Sequence, residues 1–342
     1  MTNRDSTREE DLLRARLHRL VEDVEPRGDS LPRLLASVRR RRSPRRPFVL
    51  AAGAAVAATA VFLVALLNFP GNRGTEPVSM QPNSYVAAAR PDSITAFNIV
   101  SGKQLGRVAE LPGRRVQALA TDGEHVYALV SGSRDQLVET SSRGAQQVLA
   151  DVPPQTNLLA AGGGQVAYAS PDAVVVRGGS GERRLLPPRG ERVVDVALAS
   201  DGRLAVLTAS DGSRAGTIHL VGPGETSMTS GPAIDPGDEC GPLAVTWSGP
   251  EVAALRSAGC DSGRVRVTTI DGSGRQIGGG VPFEAGRVEV HDVQLSSDRL
   301  GRFLVSVGGG RQWLVDETDV REVPAACAPG GGCADVATTF WS

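Results

Sequence analysis

The feature that most restricts the fold is an order of short apolar strands and tight turns that begins at Val116 and recurs to the end of the chain. One unit reads VQALA, the turn TDGE, HVYALV, SGSRD, QLVETS, RGA and QQVLA. The next, from Asn157, reads NLLAA, GGG, QVAYAS, PD, AVVVRG, GSGE and RRLLP, and a third, from Val193, reads VVDVALA, SDG, RLAVLTA, SDGSRA, GTIHLV, GPGE and TSMTS. A fourth starts at Leu243 with LAVTWS and a fifth at Val288 with VEVHDVQLS, each followed by three further strand-like runs. Apolar runs this short, bounded by Gly, Asp and Ser, are strands, and none of them has a helical period. Their starts fall on average roughly 40 to 45 residues apart, the length of one four-stranded propeller blade.

The two ends of this region complete each other. After the fifth unit only VATTFWS (336–342) remains, while YVAAA, SITAFNIV and QLGRVAEL between Tyr85 and Leu111 belong to no unit. One C-terminal inner strand with three N-terminal strands makes a sixth blade and leaves no sheet edge exposed. The expected fold is all-β, a six-bladed β-propeller over residues 83–342. The inner-strand endings TWSGP and TTFWS and the turns TDGEHVYAL and SDGRLAVLT resemble repeats of the TolB-like six-bladed propellers. That group includes periplasmic partner-binding proteins, lipoprotein domains and protease accessory domains, so the resemblance implies the fold and carries no activity with it. The repeats depart from the pattern at Gly162–Gly164, where an Asp-Gly turn is expected, and at Asp298, which no Gly follows.

The N-terminal part is of another kind. Phe48 to Phe69 reads FVLAAGAAVAATAVFLVALLNF, without a charge. As a helix rising about 1.5 Å per residue it spans the roughly 30 Å hydrocarbon core. Arg39, Arg40, Arg41, Arg42, Arg45 and Arg46 precede it and the first charge after it is Arg73, so the positive-inside rule keeps the N-terminus in the cytoplasm and exports the rest. PRRPFVL (44–50) resembles a twin-arginine export signal through Arg45, Arg46 and Phe48, but it is embedded in a longer arginine run of the kind that anchors topology. The 47 residues before the apolar run exceed the n-region of a cleaved secretory signal, and no Cys near its end offers a lipid anchor. The expected arrangement is an uncleaved single-pass anchor in the bilayer (48–69), followed by a Gly-, Pro- and Asn-containing linker (70–82).

Residues 1–47 hold thirteen arginines and eight acidic residues in a chain whose formal net charge is −1. The basic excess is therefore local to the membrane flank, and no global field marks nucleic acid as a partner. Leu13, Leu17, Leu20, Val21 and Val24 share one face of a helix, and Leu31, Leu34, Leu35 and Val38 share a face of a second that Ser30 caps. Two such helices bury no core alone. They suit either anionic lipid head groups or a cytoplasmic partner docking on residues 9–38. The first 70 residues resemble the start of many actinobacterial membrane proteins, some related to anti-sigma factors. They lack the His-x-x-x-Cys-x-x-Cys motif of the zinc-binding anti-sigma domains, since His18 is their only His and they have no Cys.

All four cysteines, Cys240, Cys260, Cys327 and Cys333, follow the apolar run, and an even number in an exported domain points to two disulfides. In a propeller the inter-blade connections and the loops between second and third strands emerge on one face. Cys240 lies in the connection entering the fourth unit and Cys260 in that unit's second-to-third-strand loop, which favours their pairing. Cys327 and Cys333 share the connection entering the closing blade and would pinch one loop. A zinc site is the rival, but these spacings are not those of paired CxxC clusters.

The same face collects Arg114, Arg115, Arg189 and Arg311, a candidate surface for an anionic ligand, together with Asp235, Asp238, Glu239 and Asp261. Those four carboxylates with backbone carbonyls approach the six to eight oxygens of a calcium site, or form a solvated acidic loop. Trp247 and Trp341 end equivalent inner strands and read as core. No G-x-S-x-G elbow, no G-x-x-x-x-G-K-[ST] loop and no paired-histidine spacing occurs, so no catalytic residue, metal or cofactor is assigned. The expected function is a membrane-anchored extracytoplasmic module that binds a protein or ligand and is not an enzyme. The alternatives are a transmembrane regulator coupling the propeller to a cytoplasmic partner, and a lyase or hydrolase working in the propeller channel.

Overall fold

The computed structural model describes residues 83–141, 144–179, 181–210, 216–228, 233–234, 241–259, 262–288, 293–308, 310–326 and 338–340. The expected tail helices, membrane segment and linker lie outside the described residues, as do the four cysteines, the four carboxylates of the acidic loop and Trp341.

Every regular element among the described residues is a strand. β1 (Ser84–Arg90), β2 (Ser93–Asn98) and β3 (Gln104–Glu110) form blade I. β4 (Arg115–Thr121), β5 (His125–Ser131), β6 (Gln136–Ser141) and β7 (Gln146–Asp151) form blade II. Blade III contains β8 (Leu158–Gly162), β9 (Gln165–Ser170), β10 (Ala173–Gly178) and β11 (Gly181–Leu185). Blade IV contains β12 (Glu191–Leu198), β13 (Leu204–Ser210), β14 (Gly216–Val221) and β15 (Ala233–Ile234). Blade V contains β16 (Ala244–Ser248), β17 (Glu251–Ser257), β18 (Arg264–Ile270) and β19 (Gln276–Gly279), with β20 (Phe283–Glu284) paired to the start of β18. Blade VI contains β21 (Val293–Ser297), β22 (Phe303–Val307), β23 (Arg311–Val315) and β24 (Val320–Val323).

The last strand, β25 (Thr338–Phe340), returns to blade I and pairs antiparallel with β1, Tyr85 opposite Phe340 and Ala87 opposite Thr338. The inner strands adjoin in a closed cycle, β25 to β4, β8, β12, β16, β21 and back to β25. The domain is a six-bladed β-propeller closed by one C-terminal and three N-terminal strands.

Two-residue periodicity explains why the second strands read as unbroken apolar runs. Successive side chains of β13 point to opposite faces of its sheet, and in a ring both faces are covered. Leu204 and Val206 enter the seam with blade III, while Ala205 and Leu207 enter the seam with blade V. The buried residues divide in this way into six clusters, one at each seam of the ring.

The two irregular turns find physical reasons. At Gly163 and Gly164 φ is +58° and +72°, the left-handed region. A Cβ on Gly162 would stand 2.6 Å from the Leu198 carbonyl oxygen and one on Gly163 2.0 Å from that of Ser200. The run of glycine lets blade III lie against the backbone of blade IV. Asp298, with no Gly beside it, still caps its turn by accepting from the Leu300 and Arg302 amides, both at 2.9 Å, and positive φ falls on Gly301 instead. One expectation is corrected: the fourth strand of the third unit is Ala233–Ile234, whereas Thr226 to Met228 of TSMTS is not strand and the Met228 side chain is buried in the blade III–IV seam.

Candidate functional site

The connection face is assembled by backbone hydrogen bonds. In blade I the loop between second and third strands is Pro91–Asp92, and it is tied to the connection that enters blade II: Leu111 N donates to Asp92 O at 2.7 Å and Val116 N to Pro91 O at 2.8 Å. The same link recurs two blades on, where Val193 N donates to Pro171 O at 2.8 Å. In blade V, Ala285 N and Gly286 N donate to Gly263 O at 2.9 and 3.0 Å. Connections and second-to-third-strand loops therefore share one face.

Of the arginines expected there, Arg115 and Arg189 are exposed, Arg114 is half-buried, and none of the three guanidinium groups has a hydrogen-bond or acidic partner among the described residues. Arg90, which the sequence reading missed, joins Arg114 and Arg115: it is exposed, equally without a partner, and enters the Pro91–Asp92 loop that the two backbone bonds lash to their connection. The signal was a single Arg before Pro91, indistinguishable in sequence from any strand end. Arg189 lies two connections farther round the ring. Arg311 differs. Its Nε and Nη2 donate to the two Glu322 carboxylate oxygens at 3.2 and 3.1 Å, and its guanidinium lies 4.6 Å over the Trp313 ring. That forked bond holds Arg311 more firmly protonated and draws Glu322 below the usual glutamate range.

The axial lumen, about 360 Å³, is lined by inner strands of all six blades. β-Bulges interrupt β4 between Val116 and Ala118 and β12 between Val193 and Asp195. They set Gln117 and Asp195 among the lining residues. Asp195 is the one titratable side chain of that lining among the described residues. Its Oδ1 accepts from Val196 N at 2.8 Å and its Oδ2 from Val245 N, in the next blade, at 2.7 Å. Asp195 is half-buried and lines the lumen, and removal from bulk water outweighs those two bonds and pushes its carboxyl up to about 7.

Other side chains stitch the inner strands. Trp247, buried as the sequence suggested, donates Nε1–H to Ala197 O at 3.1 Å, and the Ser297 hydroxyl donates to Trp247 O. Gln294 Oε1 accepts from Thr338 N at 2.7 Å and Ser296 Oγ from Phe340 N at 3.1 Å, fixing the closing strand.

A third polar group lies inside blade IV, where the Thr208 hydroxyl donates to Glu191 and stands 3.0 Å from His219 Nε2. His219 Nε2 also lies 3.5 Å from a Glu191 carboxylate oxygen, so the three groups contact one another, and Thr208, the one hydroxyl among them, is fully buried where no substrate reaches it. It is a structural network. Among the described residues neither the lumen lining nor this network sets an accessible nucleophile beside a base.

No family model matches the chain, and no curated protein matches it in sequence. Among solved structures it is similar to Kuenenia stuttgartiensis hydrazine synthase, at 15% identity and a TM-score of 0.45 over 72% of this chain and 80% of that one. A chain of the mitotic checkpoint complex is 14% identical, with a TM-score of 0.41 over 81% and 88%, and YCF48 bound to D1 peptide is 10% identical, with a TM-score of 0.39 over 74% and 88%. Likeness at these levels carries no function to this chain, and the propeller assignment rests on the sheet order and the closed cycle of inner strands.

Proposed function

We propose that the protein is a single-pass membrane protein that holds its propeller outside the cytoplasmic membrane and binds an anionic protein or ligand on the connection face, without catalysis. The observation that carries this reading is the set Arg90, Arg114, Arg115 and Arg189, which has no acidic partner among the described residues. On the same face Arg134, Arg264 and Arg311, and elsewhere Arg177, Arg203, Arg275 and Arg302, are each paired with a carboxylate. A charge held ready on a loop that backbone bonds already order loses little further entropy on binding. The anchoring and its direction follow from the uncharged run 48–69 and the arginines before it.

Two experiments test the parts separately. With tags at both ends of the full-length protein, protease added to spheroplasts is expected to remove the C-terminal tag and spare the N-terminal one. Protection of the C-terminal tag until lysis overturns the topology. Cross-linking in intact cells is expected to give adducts that disappear when Arg90, Arg114 and Arg115 are changed together to Glu and persist in Arg177→Glu. Adducts indifferent to the triple change overturn the assignment of the face.

A further inference from the structure

We propose that the axial lumen is a binding site for a small organic cation of the primary-ammonium class, held by the Asp195 carboxylate and by the side-chain amides of Gln117, Asn157 and Gln294. This site is separate from the connection face and does not rest on the reading of that face. Its volume of about 360 Å³ falls at the small end of the range for small-molecule pockets, too little for a folded segment of a partner.

The argument begins with charge. Lining residues from β4, β8, β16, β21 and β25 carry no titratable group, and β12 contributes Asp195 alone, so no Lys, Arg or His among the described lining offsets the carboxylate. Stitching does not require that charge. Gln294 makes the equivalent inter-blade bond to Thr338 N with a neutral amide, at the same 2.7 Å as Asp195 to Val245 N. A carboxylate at position 195 bears a desolvation cost that a glutamine or asparagine would avoid. An ammonium ion in the lumen removes that cost by supplying the missing countercharge. Burial that raises the carboxyl to about 7 leaves it ready to release its proton when a cation arrives near neutral pH.

The neutral lining supplies the rest of a recognition set. The Gln117 and Asn157 side chains are exposed to the lumen and make no bond within the described residues, and Gln294, its Oε1 engaged by Thr338, keeps its NH₂ unpartnered. Donors and acceptors therefore line the same lumen as the carboxylate, which suits an amine that also bears hydroxyl groups.

Thermal-shift titrations of the full-length protein at constant ionic strength, with ethanolamine and 4-aminobutan-1-ol against ethylene glycol and 1,4-butanediol, test the proposal. At about pH 8 the amines are expected to bind at least roughly tenfold more tightly than the diols, and to lose that advantage at about pH 5, where they remain charged and Asp195 does not. Asp195→Asn is expected to abolish the difference. Gln117→Arg, which places a cation in the lumen and leaves both backbone bonds of Asp195 intact, is expected to do the same and serves if the first variant does not fold. Equal binding of amines and diols, no stabilisation by either amine at pH 8, or amine binding unchanged in Gln117→Arg each overturns it.

Discussion

Single side chains bear on this ring most where they cross a seam. Asp195 titrates near 3.8 when unfolded and at about 7 when folded, so between those values the folded chain binds more protons than the unfolded one. Its contribution is therefore fully present at low pH and is lost as pH rises through about 7, a difference on the order of 4 kcal/mol across that window. Urea midpoints of the wild type are expected to fall from pH 5 to pH 8, and those of Asp195→Asn to be flatter, because an amide keeps one of the two backbone bonds and has no charge to bury. A variant with the wild-type slope would show that another group governs the window. Arg183 is the opposite case, a cation placed for structure. Its guanidinium reaches from β11 into blade IV and donates to Gly222 O at 2.9 Å, Glu225 O at 2.6 Å and Gly202 O at 3.3 Å. Arg183→Met is expected to cost about 2–3 kcal/mol by calorimetry, and Arg183→Lys to recover little, since one ammonium cannot span three carbonyls. Neither role was legible in the sequence: Asp195 reads there as one polar residue in an inner strand, and Arg183 as half of an unremarkable Arg-Arg pair.

At the level of strands and turns the sequence was informative wherever local chemistry decides the outcome. Asp122 caps its turn by accepting from the Glu124 and His125 amides, at 2.9 and 2.8 Å, as a TDGE segment implies. The glycine run of blade III reads as a turn in the sequence and is one, but its cause lies in the next blade. That cause separates two substitutions the sequence treats alike. Gly163→Ala drives a methyl into the Ser200 carbonyl and is expected to cost more than about 3 kcal/mol, whereas Gly164→Ala meets open space and carries only the left-handed penalty of about 1 kcal/mol. Equal losses in denaturant midpoint would mean that the blades separate to relieve the contact. The short strand β15 was missed for a related reason: it pairs with β14 through only Ala233 and Ile234, after an intervening segment whose Met228 is drawn into the core, so no alternating pattern marks it. The closing strand was found because ring closure is a counting argument. Its fastening to Gln294 and Ser296 follows only from the placement of blade VI beside blade I.

For the whole molecule, the repeat made the architecture legible while the location of the proposed binding face depended on topology, since strand order alone decides which loops share a face. That logic extends to the cysteines. Gly241, next to Cys240, lies where a Cβ would stand 3.6 Å from Ser257 N, and Leu243 N donates to Leu255 O at 2.8 Å, so the described flank of the connection runs beside the end of β17 that leads to Cys260. The described neighbours of Cys240 thus run beside the end of β17, which favours a Cys240–Cys260 bond, and a second bond, Cys327–Cys333, is expected between the remaining two. A non-reducing digest of the propeller domain is expected to yield those two cross-linked peptides, and no peptide joining Cys240 to Cys327 or Cys333. Closing a loop of about 20 residues removes roughly 3 kcal/mol of unfolded-state entropy, so reductant is expected to lower the melting temperature by several degrees. Four alkylatable thiols in protein taken from unbroken cells would contradict both the pairing and an oxidising location, and would turn the search for the partner of Arg90, Arg114 and Arg115 to the cytoplasm.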